Sequence, residues 1–148
     1  EHKTLWGAEG PVDESVTIPL GQAAVRRAGS DITIVSWSKQ ALVCAAACDT
    51  LAAQGIQAEL IDLRTIWPWD RDTVLASAAK TGRLLVVHEA IQAAGFGAEI
   101  AATAAEATGC KISRLGAPRI PVGYAPVLEA QSRVTADAIV ARVQQLLA

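Results

Sequence analysis

The period of apolar positions changes several times along the chain, and each change marks an element. Ile32 to Trp37 is a β-branched run suited to a central strand. Ile18 to Arg26 reads as a shorter strand before it, with Ala28-Gly29-Ser30-Asp31 as turn chemistry between them, so these two are expected to pair as a hairpin. From Lys39 to Gln54 the Ala-rich sequence predicts a helix that Gly55 stops, and its nearly all-apolar middle predicts burial on more than one side. Ile56 to Ile61 is a second core strand. Asp70 caps a helix over Arg71 to Lys80, which Gly82 ends. Leu84 to Val87 is a third, continuously apolar strand of the kind a parallel sheet buries on both faces. A helix from Phe96 or Gly97 to Thr108 and a strand from Lys111 to Leu115 follow. After a Pro-rich stretch, Thr135 starts a last helix whose Ile139, Val140, Val143, Leu146 and Leu147 make one apolar stripe.

Strands alternating with helices predict a three-layer α/β domain with a mainly parallel sheet. At 148 residues, with 51% of them apolar, the chain fits one domain with a real core. Residues 1–16 carry Gly7, Gly10 and Pro11 with little periodicity and read as a linker from a further N-terminal domain; the domain proper spans 17–148. The chain opens at Glu1 and contains no Met, as expected of a processed protein or an excised piece of one, which points to a missing N-terminal part.

Charge removes some classes of function. A charged fraction of 19% and a net charge of -2 leave no basic stripe to neutralise phosphates, which argues against nucleic-acid binding. No run of about 20 apolar residues is present to span a bilayer. The three cysteines, Cys44, Cys48 and Cys110, are odd in number, and with no secretory signal they read as reduced thiols of a cytoplasmic protein. Cys44 and Cys48 share a helix face but lack further ligands, so they read as small buried side chains and not as a metal site.

Several positions are candidates for chemistry or contact. Gly95-Phe96-Gly97, between a strand and a helix, begins a dinucleotide fingerprint, but Ile100 holds the third glycine position and no acidic residue follows at the ribose distance. The glycines instead predict a sharp turn and close packing. His88-Glu89 ends the third core strand, where open α/β sheets place ligands, yet neighbours on a strand face opposite ways, which favours a structural or interface role. Arg64 between Asp62 and Asp70 predicts a local ion-pair lattice, and Trp67, Pro68 and Trp69 put two large rings on one loop, suited to burial or to anchoring a partner. No complete catalytic signature occurs.

The series Ile18-Pro19-Leu20-Gly21, D-x-T-I-V at Asp31, DLRT-x-x-P-x-D at Asp62, KTGRLLVVHEA, GFGAEI, Ala117-Pro118, Pro121, Tyr124-Ala125-Pro126 and Leu128-Glu129 runs in family order. It resembles the C-terminal domain of the beta subunit of the thiamine diphosphate-dependent decarboxylating component of 2-oxo acid dehydrogenase complexes. The resemblance implies a transketolase C-terminal-like fold: a three-layer α/β/α sandwich with a five-stranded, mostly parallel sheet and one antiparallel strand. It further implies that thiamine diphosphate and Mg²⁺ lie between the alpha subunit and the beta N-terminal domain, so that this domain alone binds neither and is inactive. Its implied partners are the alpha subunit and second beta subunit of an α₂β₂ tetramer and the subunit-binding domain of the dihydrolipoyl acyltransferase. Interface candidates are the loops around Arg64 to Asp70, His88 to Gly97 and Pro121 to Leu128, with Arg64, Trp67, Trp69, Asp70, His88, Glu89, Phe96 and Tyr124 as their leading residues, and no catalytic, cofactor-binding or metal residue is expected. The parent reaction would decarboxylate a 2-oxo acid and acylate lipoamide. Pro68-Trp69-Asp70 with GRLLVVHEA leans toward branched-chain substrates, whereas Tyr124-Ala125-Pro126 is closer to the pyruvate and acetoin members. The alternative is a free-standing interaction module of the same fold. The stretch from Lys39 to Cys44 departs from a more polar stretch in the family.

Overall fold

A computed structural model describes residues 11, 13 and 15–148. The linker expected over residues 1–16 lies mostly outside the described residues. Five strands form one sheet in the order β1-β3-β2-β4-β5: β1 (Ala24–Arg27), β2 (Ile32–Ser36), β3 (Ala58–Asp62), β4 (Arg83–Ile91) and β5 (Lys111–Ala117). Four run parallel, and β1 alone pairs antiparallel, on β3. This is the expected fold class.

The alternation of each inner strand explains the layers. Ile32 and Ile34 of β2, Leu60 of β3, and Leu85 and Val87 of β4 share one core with α1 (Lys39–Ala53) and α5 (Ala136–Leu147). Val35, Ile61, Leu84 and Val86 point the other way, into a core with α2 (Arg71–Thr81) and α3 (Gly97–Thr108). A short helix, α4 (Pro126–Glu129), and a 3₁₀ turn at Ala130–Ser132 occupy the Pro-rich stretch, where no element is apparent in the sequence. The burial expected on several sides of α1 is confined to its inner face, Gln40, Ala41, Cys44, Ala47, Cys48 and Leu51, while Leu42 is 61% exposed.

The expected β1–β2 hairpin does not form. Ser30 N and Asp31 N both donate to Gln57 O at 3.0 Å, which carries the turn over the start of β3. The strand before it then lies along β3, with Ala24 opposite Asp62, and both edges of β2 are taken by parallel neighbours. The first strand is also shorter than expected, because Pro19 and the positive φ of Gly21 end the extended stretch ahead of it.

A polar network lies beneath the α2 face of the sheet. Thr33 Oγ1 is 2.6 Å from Ser77 Oγ and 2.9 Å from Thr81 Oγ1; Ser77 donates to the buried carboxylate of Glu59, which also pairs with Lys80. Burial works against the charge of Glu59, but bonds from Lys80, Ser77 and Gly29 N outweigh it and hold the carboxyl below its ordinary 4.5.

Candidate functional site

The carboxyl ends of β2, β3 and β4 meet along one edge of the sheet. Connections from neighbouring strands leave toward opposite faces there: β2 leads into α1 and β4 into α3, and open sheets of this kind place crevices at such points. Three non-glycine residues with positive φ follow these strands, Ser38 (φ 55), Arg64 (φ 60) and Ala94 (φ 61). Ser38, with ψ -145, sits close to a region that glycine alone adopts freely. A cleft of about 540 Å³ opens at the first two of these residues, lined by Trp37, Ser38, Gln40, Arg64, Ile66, Glu89 and Ala90.

Beside the cleft lies an aromatic cluster built on His88. The strand β4 runs past the expected end at Val87 to Ile91, so His88 sits inside it, and its side chain is fully buried. Trp37 stacks on the imidazole at 5.5 Å between centroids; Phe96 meets Trp37 edge-on at 6.0 Å and Trp69 at 6.3 Å. Nδ1 lies 3.0 Å from Ala90 O, and since a carbonyl only accepts, Nδ1 carries the proton and donates. Nε2 is buried without a partner.

Three glycines enclose the ring. A Cβ at Gly97 would stand 2.5 Å from His88 Cδ2 and 2.6 Å from Nε2, and one at Gly95 or Gly116 would stand 2.7 Å from Cε1. The Gly-Phe-Gly loop is thus fitted to an imidazole, and close packing, not a phosphate, accounts for it. Neither Gly95 nor Gly97 has a positive φ.

Burial disfavours the imidazolium and pushes the pKa of His88 below its ordinary 6.5; the Ala90 carbonyl opposes this and the Arg114 charge adds to it. The fold therefore takes up fewer protons than the unfolded chain just below that value. The stability due to neutral His88 is complete above about pH 6.5 and falls as pH drops below it. Denaturant melts at pH 7 and 5.5 are expected to show a steeper acid loss for the wild type than for His88→Gln.

The other candidates separate by exposure. Asp70 is the helix cap the sequence predicts: Oδ1 accepts from Thr73 N at 3.1 Å, while Oδ2 accepts from Thr73 Oγ1 and from Ala23 N, both at 2.8 Å. Although burial opposes them, these bonds keep the carboxyl below its ordinary 3.8. The ion-pair lattice around Arg64 is not formed. Asp62 pairs with Arg26 at 3.2 Å and Asp70 is spent on backbone and hydroxyl donors, so Arg64 lends Asp62 only its backbone N–H, at 3.1 Å. His88 faces the interior and Trp69 and Phe96 are half-buried, whereas Arg64, Trp67, Glu89 and Tyr124 are exposed. Trp67, before a cis Pro68, is 78% exposed.

Burial pushes the Cys44 thiol up to about 12, with the Ser36 hydroxyl opposing it, and the Cys48 thiol to about 11. Both are buried packing groups, as expected. No group of three or more His, Cys, Asp or Glu side chains among the described residues could hold a metal. No helix among them is long and apolar enough to cross a membrane.

The candidate loops at His88–Gly97 and Pro121–Leu128 contribute Ile91, Val122, Tyr124, Val127 and Leu128 to an exposed apolar strip, joined by Ile120, which the sequence reading did not single out; the strip borders a hollow of about 300 Å³.

A three-layer sandwich with one antiparallel edge and a cleft at its parallel carboxyl edge defines an α/β domain of a known kind. The profile described as "Transketolase, C-terminal domain" matches residues 21–139, and the chain belongs to that family. It is 51% identical over 94 residues to 2-oxoisovalerate dehydrogenase subunit beta 2, mitochondrial, of Arabidopsis thaliana, covering 64% of this chain and 26% of that protein. With the beta subunit of the acetoin:2,6-dichlorophenolindophenol oxidoreductase of Cupriavidus necator it shares 42% identity over 134 residues, 87% of this chain and 40% of that one. The chain spans less than half the length of either relative. Among solved structures, a split gene transketolase described as an inactive beta4 tetramer superposes with a TM-score of 0.83 at 26% identity, covering 92% of this chain and 45% of that one. The resemblance to beta subunits of 2-oxo acid dehydrogenases is borne out.

Proposed function

We propose that this domain is the assembly half of the beta subunit of a thiamine diphosphate-dependent 2-oxo acid dehydrogenase. It holds the alpha subunit and a second beta subunit in an α₂β₂ tetramer and helps dock the acyltransferase, while the decarboxylation is carried out by other domains. The observation that carries the reading is the exposed apolar strip from Ile120 to Leu128, continued by Ile91, on a domain whose two cores are otherwise well filled. Patches of this kind mark contact surfaces. Tyr124 within the strip, and Trp67 on the loop before α2, are exposed aromatic residues of the kind that anchor contact surfaces.

The side chains of the cleft do not fit the cofactor. One guanidinium, Arg64, and one carboxylate, Glu89, provide neither a metal's ligand set nor the donors a diphosphate needs. No step of the reaction is therefore assigned to this chain's residues.

The native polypeptide carrying this domain, co-expressed with an alpha subunit, is expected to purify as a heterotetramer that decarboxylates pyruvate or 3-methyl-2-oxobutanoate. Val127→Asp is expected to abolish the tetramer without changing the melting of the beta chain. Sedimentation showing the variant assembled like the wild type would remove the strip from the interface. A wild-type chain that recruits no alpha subunit and turns over no 2-oxo acid would overturn the reading.

A further inference from the structure

The cleft at the carboxyl edge of the sheet holds two opposite charges. Arg64 and Glu89 both line it, and among the described residues neither makes an ion pair, although Glu89 and Arg133 interact at longer range. A simple anion drawn to Arg64 would also face Glu89, and a simple cation drawn to Glu89 would also face Arg64; a ligand with both charges satisfies both. The rest of the lining is mostly apolar, with the Ser38 hydroxyl and the Gln40 amide as its remaining polar groups. Trp37 is clamped by its stack on His88 and by the edge of Phe96, and Gln40 Nε2 is held at 2.9 Å by Val134 O. Ile66 supplies a second apolar wall. At about 540 Å³ the space falls within the ~300–1,000 Å³ typical of small-molecule sites. The strained backbone of Ser38 and Arg64 lies on this lining, where such conformations tend to serve a site.

We propose that this cleft binds a free apolar α-amino acid, with Arg64 taking its carboxylate, Glu89 its ammonium group, and Trp37 and Ile66 its side chain. The site shares Glu89 and Ala90 with the hollow beside the Ile120–Leu128 strip, but its other lining residues are separate from that hollow and the proposal does not depend on the subunit reading. Occupancy would fix the Leu63–Ile66 and Glu89–Ala90 segments against one another.

Calorimetry on the 148-residue chain with leucine, valine and isoleucine tests it. Leucine is expected to bind, while 4-methyl-2-oxopentanoate, which lacks the ammonium group, and 3-methylbutylamine, which lacks the carboxylate, bind at least about tenfold more weakly. Arg64→Gln and Glu89→Gln are each expected to weaken leucine by about tenfold, with unchanged thermal melts because both side chains are exposed. Val127→Asp is expected to bind leucine like the wild type. Flat titrations with all three amino acids up to about 10 mM would overturn the proposal. So would equal binding of leucine and its oxo acid together with an unaffected Glu89→Gln, since that describes a plain carboxylate site.

Discussion

Gly97→Ala is expected to destabilise the domain by about 2–3 kcal/mol, lowering Tm by roughly 4–12 °C. The added methyl would lie 2.5 Å from His88 Cδ2, 2.6 Å from Nε2 and 3.1 Å from Val86 Cγ1. The imidazole cannot retreat, because Trp37 is stacked on it, Gly95 and Gly116 lie against Cε1, and Nδ1 is bonded to Ala90 O. Helix propensity favours alanine by up to about 1 kcal/mol, which offsets only part of the overlap. The clash is with a side chain, so it can be removed. His88→Ala alone is expected to cost about 2–3 kcal/mol through the lost packing, yet combined with Gly97→Ala the total should fall short of the sum by about 2 kcal/mol. Gly95→Ala provides the contrast, since its methyl would also lie 2.5 Å from Ile91 O, and trimming His88 leaves that overlap in place. A double-mutant cycle in urea measures both. If Gly97→Ala and His88→Ala cost the same together as the sum of their separate losses, the glycine is not there for the imidazole.

The sequence discloses the elements better than their pairing, for a physical reason. Period and capping are local, so Asp70 capping α2, Gly82 and Gly109 closing helices with positive φ, and the stripe of α5 are all readable. Pairing depends on contacts distant in sequence. Nothing near Gly29 discloses that Gln57 O accepts from Ser30 and Asp31, so a turn between two β-branched stretches reads as a hairpin when its partner is β3. The site divides the same way. His88 at a strand end and the glycines near residue 96 are visible as types, but their meeting in one cage joins β4, β5 and the loop before α3 and has no local signal. Arg64 between two aspartates suggests ion pairs by proximity, yet both carboxylates find other donors through tertiary contacts with Arg26 and Ala23.

Gly29→Ala is expected to be the more damaging of the two glycine substitutions, at about 3–4 kcal/mol, with no second-site change at a side chain able to relieve it. Its Cβ would fall 2.4 Å from the carbonyl carbon of Ala58, 2.4 Å from Glu59 N and 2.5 Å from Gln57 O, all main-chain atoms of the residues that open β3. Making room separates the turn from that strand. The separation would strain the two bonds to Gln57 O, the Asp31 Oδ2 acceptance from Gln57 N at 2.7 Å, and the Gly29 N–H that reaches Glu59 at 3.4 Å. Because Glu59 anchors Ser77 and Lys80, the damage would pass from the turn into the polar network beneath α2. Gly55→Ala isolates the backbone effect: its φ is +82 with nothing within 4 Å of the added methyl, so it should cost only about 1 kcal/mol. Urea unfolding at neutral pH should therefore show a midpoint for Gly29→Ala well below that of Gly55→Ala at the same slope. Equal midpoints would mean that the turn shifts freely, and the main-chain overlap could then not be what holds β1 to β3 and away from β2.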